Sequence, residues 1–283
     1  MTKTLKTIVM LCSLPALMGC AAIERLAIPE SKLVSPDLQP AGTQSAISHR
    51  LWSAFLQTYT QLGDDGIVRV NYAGVSADDK KILEAYIDSL KAQDITQFTR
   101  DAQLAYWLNL YNAVTVAVIL DNYPVASIRE IRSGLTDLGP WDEKRVVVNG
   151  RELSLYDIEN GIVRPLWPDD PRTHYALNCA ALGCPNLAQT AYTADNIQQR
   201  LGEYAVQYIN SPRGVLIGDD GSLTVSKIYN WYRSDFGSSD AAIISHLREY
   251  AAPDLQKSLE QSDKINRYEY DWSLNDTSTK AQP

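Results

Sequence analysis

Basic charge is in deficit in this sequence. Lys and Arg number 26 against 34 Asp and Glu, a formal net charge of −8 over 283 residues, and such an acidic surface argues against nucleic acid or anionic lipid as a partner. Histidine is scarce, with three residues, and so is cysteine, with four. No Cys-x-x-Cys pair is present, which counts against the usual dithiol redox motif. There is no internal repeat, no low-complexity tract and no internal linker. The apolar run near the N-terminus, Ile8 to Leu17 with Pro15 inside it, is too short to span a bilayer as a stable helix.

That short run has another use. Lys3 and Lys6 give a positive start, the apolar stretch follows, and Leu17-Met18-Gly19-Cys20 closes it, the order of an export signal. The closing tetrapeptide resembles a lipobox, in which the cysteine is diacylated and becomes the first residue of the mature chain. Residues 1–19 are therefore expected to be a lipoprotein signal peptide and 20–43 a lipid-attached tether holding three prolines. Residues 44–275 are expected to form one globular domain, followed by a flexible tail over 276–283. Ala21 after Cys20 points to the outer membrane of a Gram-negative cell, with the domain on its periplasmic face. Loss of residues 1–19, which carry two lysines and no acid, makes the chain more acidic still. It also removes Cys12, and with Cys20 lipidated, Cys179 and Cys184 remain. In an oxidising compartment such a pair is either a disulfide or a working thiol site.

The rest of the chain reads as a helix-rich α+β domain with a small antiparallel sheet and hairpins. Helical periodicity runs over 45–62, 78–91, 101–120, 194–209, 227–235 and 240–250. Gly66 to Tyr72 alternates like a strand. Asn149-Gly150 between Val146-Val147-Val148 and Arg151-Glu152-Leu153 is a two-residue hairpin signal. Ser154-x-x-Asp157 opens a helix that Pro165 is expected to end. His174 to Leu177 reads as a short strand, and Val215–Ile217 and Leu223–Val225 flank a Gly-Asp-Asp-Gly turn.

Chemistry is expected where the rare residues gather. Arg172 to Pro185 holds both remaining cysteines and His174. A thiol enzyme needs a thiolate, a base and a group that orients the base. His174 is the candidate base for Cys179 or Cys184, with Glu159 or Asn178 to orient it. A straight strand would turn His174 and Cys179 to opposite faces, so their pairing requires a turn near Asn178. Cys184 precedes Pro185, which suits the first position of a helix and would place the sulfur at its positive end. A Cys179–Cys184 disulfide is the structural alternative. Metal binding by His174, Cys179 and Cys184 lacks a fourth ligand, and no cofactor is indicated. Asn109 and Asn112 share one face of an apolar helix that also carries Trp107; they either bind a ligand backbone or satisfy a buried loop. Trp231 and Tyr232 pose the same question, since an aromatic stripe is more often core than cleft. His49 and His246 stand alone on amphipathic helices and read as surface or satisfied structural residues.

Several segments together resemble the domain of unknown function 547 family, found in bacterial lipoproteins and in plant and animal proteins. They are Gly66 to Tyr72, Tyr106 to Asn112, Tyr123-Pro124-Val125 with Ile128, Leu153 to Glu159, Arg172 to Pro185, Ser226 to Phe236, and Tyr270 to Asn275. The family supplies no settled reaction. The resemblance implies that the Cys179 position is cysteine more widely than that of Cys184, which favours Cys179 as nucleophile. It also implies a histidine after Glu159, where this chain has Asn160. A papain-like fold is carried as an alternative, although papain-like enzymes place the cysteine before the histidine and at a helix start.

The leading expectation is a cell-envelope thiol hydrolase or acyl transferase acting on amide or peptide bonds. In it Cys179 attacks, His174 shuttles the proton and Glu159 holds the imidazole. Trp107, Asn109, Asn112, Arg172, Asn178, Cys184, Trp231 and Tyr232 would line the cleft, and amides near Asn178 would stabilise the oxyanion. The rival is a non-catalytic envelope module that binds a peptide, glycan or protein and keeps Cys179 and Cys184 bridged. A thiol redox carrier ranks third.

Overall fold

Apolar side chains on every face of one long segment dictate its place: such a helix has to be surrounded by protein or lipid. In the computed structural model, which describes residues 38–132 and 139–279, protein surrounds it. The expected signal peptide, Cys20, the first part of the expected tether and residues 280–283 lie outside the described residues. In chain order, Arg50–Tyr59 (α1) buries Trp52, Phe55, Leu56 and Tyr59, a helical stripe. Thr60–Leu62 (β1) leaves that helix to pair antiparallel with Val68–Val70 (β2). The sequence reading carried the helix through residue 62. The hairpin wins because Gly66, at φ 74°, closes the turn and β2 offers partners that a helical end lacks.

Ala77–Lys91 (α2) starts on Ser76, whose side chain accepts from Asp79 N, and Arg100–Asn122 (α3) starts on Thr99, capping Ala102. Although α3 is long and apolar enough to cross a membrane, 89% of its most apolar window is buried within the protein, so it is a core helix. The expected Val146–Val148 (β3) and Arg151–Leu153 (β4) hairpin forms, with Asn149 and Gly150 both in the left-handed region, as a type I′ turn requires.

Ser154 caps as expected, its Oγ accepting from Asp157 N at 3.1 Å while the Asp157 carboxylate accepts from Ser154 N at 2.7 Å. Pro165 does not end the helix that follows. The turns widen into a π-helical stretch over Asp157–Val163 and resume as Arg164–Leu166 (α4), with the proline in the first turn. The helix runs only one residue past the proline, ending at Leu166.

The expected strand at His174 is instead a 3-10 turn, Pro171–Tyr175, opened by Asp170 accepting from Arg172 N. No helix starts at Pro185. The next one is Ile197–Ile209 (α5), and residues 185–193 cross the molecule as irregular chain. Val215–Ile217 (β5) and Leu223–Ser226 (β6) pair as expected. Ile228–Trp231 (α6) is shorter than the sequence implied, and Asp240–Tyr250 (α7) agrees with it. Pro253–Glu260 (α8) and Arg267–Glu269 (β7) were not anticipated. The last of these pairs parallel to β6, with Val225 opposite Tyr268.

The architecture is thus helix-rich α+β, with two antiparallel hairpins and a three-stranded mixed sheet. Two apolar clusters hold it. The larger surrounds α3, and the smaller joins β5, β6 and α7 around Tyr175, Tyr208, Tyr229 and Phe236. α5 serves both, giving Ile197 and Leu201 to the first and Ala205, Tyr208 and Ile209 to the second. Both expected domain edges move outward. Leu38, assigned to the tether, is buried in the larger cluster, and Thr277, assigned to the tail, donates its amide to Val70 O at 3.1 Å.

Candidate functional site

The loop from Ala176 to Pro185 has almost no regular structure, so its buried backbone groups must find partners elsewhere. Asn112 supplies two, donating from Nδ2 to Ala176 O at 2.9 Å and accepting from Asn178 N at 2.9 Å. Asn109 does the same for Tyr192, at 2.8 and 3.0 Å. These amides are 1% and 2% exposed and Trp107 is fully buried. All three belong to the core and line no cleft, which corrects the binding role expected of them.

Asn178 is likewise structural. It accepts from Ala180 N at 2.9 Å and donates to Pro185 O at 2.8 Å, fixing Ala180 at φ 59°, a conformation that costs a non-glycine residue free energy. Its own amide is taken by Asn112, so it offers no oxyanion donor. Arg213, which the sequence reading passed over, secures the far side of the loop, with Nη1 on Cys184 O at 2.7 Å and Nη2 on Asn186 Oδ1 at 2.7 Å. Gly183 packs so close to the chain that a Cβ would sit 2.8 Å from Asp271 N.

Inside this clamped loop Cys179 and Cys184 are joined as a disulfide, their Cα atoms 6.2 Å apart. The half-buried Cys179 is therefore not the free nucleophile expected of it. Nor does the expected triad assemble. The 3-10 turn sends His174 inward, 4% exposed, where Nε2 meets Asp235 Oδ2 at 2.8 Å and the ring stacks on Tyr232 at 4.2 Å. Among the described residues no hydrogen bond links His174 to either sulfur, and its Nδ1 is buried without a partner. The Asp235 carboxylate can only accept, so the shared proton sits on Nε2.

Asp235 also takes both arms of Arg164, Nε at 2.6 Å and Nη2 at 2.7 Å. Burial raises its carboxyl pKa, but the hydrogen bonds from Arg164 and His174 outweigh this and hold it well below the usual carboxylate range. Asp235, not Glu159, orients the imidazole. Arg172 lies to one side, paired with Asp170 at 2.7 Å and reaching Gln198 at 2.9 Å.

Glu159 occupies the π-helical stretch, a form that gathers at functional sites. It is 8% exposed and accepts from the Tyr111 hydroxyl at 3.1 Å. Burial and then the nearby Glu159 charge drive the hydroxyls of both Tyr111 and Tyr232 well above the ordinary phenol range, so both stay protonated donors. Arg164 lies 5.0 Å over the Tyr232 ring.

Beside this polar group stand four partly exposed rings. Trp231 meets Tyr270 at 4.8 Å and Trp272 at 5.5 Å, Tyr270 meets Trp272 at 4.7 Å, and Trp141 meets Trp272 at 5.7 Å. Tyr270 connects them to the bridge, its hydroxyl 2.9 Å from Cys179 Sγ and 3.0 Å from Cys184 Sγ. Of the expected site residues, His174 and Tyr232 gather on Asp235 and Arg164, Glu159 pairs with Tyr111, and Cys179, Cys184 and Trp231 gather on Tyr270. Tyr111, Trp141, Arg164, Asp235, Tyr270 and Trp272 join them unanticipated in their roles. The Tyr270-Asp271-Trp272 run was the available signal for two of these.

Among the described residues no three His, Cys, Asp or Glu side chains converge to hold a metal ion. No curated protein and no solved structure matches the chain. Residues 95–209, which include the helix bearing Asn109 and Asn112, the π-turned segment bearing Glu159 and the bridged loop, match the family described as "Protein of unknown function, DUF547".

Proposed function

We propose that this protein is a cell-envelope lipoprotein, anchored through lipid on Cys20, whose domain is a non-catalytic binding module for a peptide or glycan of the envelope. The observation that carries the reading is the commitment of the would-be catalytic groups. Cys179 is bridged to Cys184, and the one imidazole nitrogen with a partner is spent on Asp235. What remains to offer a ligand is recognition chemistry. Partly exposed indole and phenol rings present flat apolar faces.

The test is a titration of soluble peptidoglycan fragments followed by tryptophan fluorescence, since Trp231, Trp272 and Trp141 all lie in the ring cluster. Saturable quenching that weakens at least tenfold in Trp231→Ala or Trp272→Ala is expected. A thiol-reactive activity probe supplies the opposite outcome: labelling of the untreated protein at Cys179 that disappears in His174→Ala would replace the module with a hydrolase. Palmitate labelling that persists in Cys20→Ser would remove the anchor.

A further inference from the structure

The two sulfurs of the bridge are chemically unlike. Cys184 is 1% exposed, and its sulfur alone accepts from Cys179 N, at 2.9 Å, while the Tyr270 hydroxyl stands within reach of both sulfurs, 3.0 Å from Cys184 Sγ and 2.9 Å from Cys179 Sγ. Cys179 is half-buried and so the more exposed residue of the two. Thiol–disulfide exchange proceeds by attack of a thiolate on the accessible sulfur, and it is faster when the departing sulfur is stabilised as an anion. The Cys179 amide already aimed at Cys184, and the Tyr270 hydroxyl free to turn to whichever sulfur becomes charged, supply that stabilisation, as donors do for other thiolates of lowered pKa.

We propose that the Cys179–Cys184 disulfide is an exchange site for an external thiol, attacked at Cys179 and leaving at Cys184, with Tyr270 as the positioning donor. The incoming thiolate, its proton already lost to water, forms a new S–S bond to Cys179 Sγ. The electron pair of the old bond passes to Cys184 Sγ, which the Tyr270 O–H and the Cys179 N–H then hold as a thiolate. With a dithiol reductant, the second thiolate attacks its own sulfur in the mixed disulfide and frees Cys179. The bridge is then reduced by two electrons and the dithiol oxidised by two.

The fold tolerates the opening. The bridge closes a loop of only five residues' separation, and short loops gain little from a cross-link. Asn112, Asn178 and Arg213 hold that loop independently of the sulfurs. The change is transmitted through Tyr270, whose ring packs on Trp231 and Trp272.

The experiment exposes the oxidised full chain to excess reduced glutathione, quenches in acid, alkylates with a maleimide and maps both cysteines by mass spectrometry. The expected product carries glutathione on Cys179 and maleimide on Cys184, with the circular dichroism of the folded protein retained. Glutathione on Cys184, or a bridge that opens only in denaturant, would overturn the proposal. Tyr270→Phe is expected to slow opening on the order of tenfold, the loss of one hydrogen bond to a charged group, and to move the pH profile of Cys184 alkylation in the opened protein upward, since the thiolate has lost a donor. A folded Tyr270→Phe that opens at the parental rate would remove Tyr270 from the mechanism. Because the adduct map uses the parental protein, it decides the site of attack even if that variant does not fold.

Discussion

Single residues here are decided by what surrounds them. His49 and His246 were legible as satisfied structural histidines. Each takes a tyrosine hydroxyl at 2.8 Å, from Tyr86 and Tyr175, and burial lowers the pKa of each to about 4. The unfolded chain gains these protons near pH 6.5 and the folded protein near pH 4. Stability is therefore full above about pH 6.5 and drains as pH falls toward 4, by up to roughly 3 kcal/mol per histidine. Urea midpoints at pH 7 and pH 4.5 are expected to show that loss, and His49→Gln to show a smaller one. Depressed carboxylates such as Asp65, at about 2, act only at lower pH. His174 was legible as important but not in its partner: Asp235 lies 61 positions along the chain, and no local pattern announces a contact at that range.

Elements were legible where local chemistry sets them. The Asn149-Gly150 turn, the Ser154 cap and the α3 periodicity all appear as read. The errors fall where tertiary pairing overrides local preference: β1 drawn out of a helix by β2, and β7 held only by its parallel neighbour. Asn112 shows the same physics from inside a well-read helix, since its ligand is this chain's own backbone. Asn112→Ala leaves the Asn178 amide and the Ala176 carbonyl buried without partners, a cost of about 2–4 kcal/mol. Denaturant unfolding is expected to show that loss, and hydrogen exchange to show Asn178 deprotected while the Tyr192 amide, held by Asn109, stays slow. Equal protection at both amides would refute the clamp.

At the scale of the whole molecule, the fold class and one continuous domain could be read from periodicity, but the closing of that domain could not. The stretch from Asn266 to Thr277 binds to parts far apart in sequence. It pairs β7 with β6, gives Asp271 and Ser273 carbonyls to Gly183 and Leu182, and joins Asn275 to both Val70 and Ala180. These are backbone bonds at long range, so side-chain pattern carries no trace of them. A chain stopped after Asn266 loses them together and is expected to lack a cooperative thermal transition, while one stopped after Thr279 keeps it. A sharp transition in the shorter chain would show the suture to be dispensable.

That suture is made after every part that it binds. Until it arrives, the hairpin at Val70, the bridged loop and the edge of β6 each lack a neighbour, so all three are synthesised before the domain can lock. A domain whose closing stitch follows everything it binds stays unlocked while those parts are made, and under the proposed export it would cross the membrane in that state, its two thiols first meeting an oxidant on the far side.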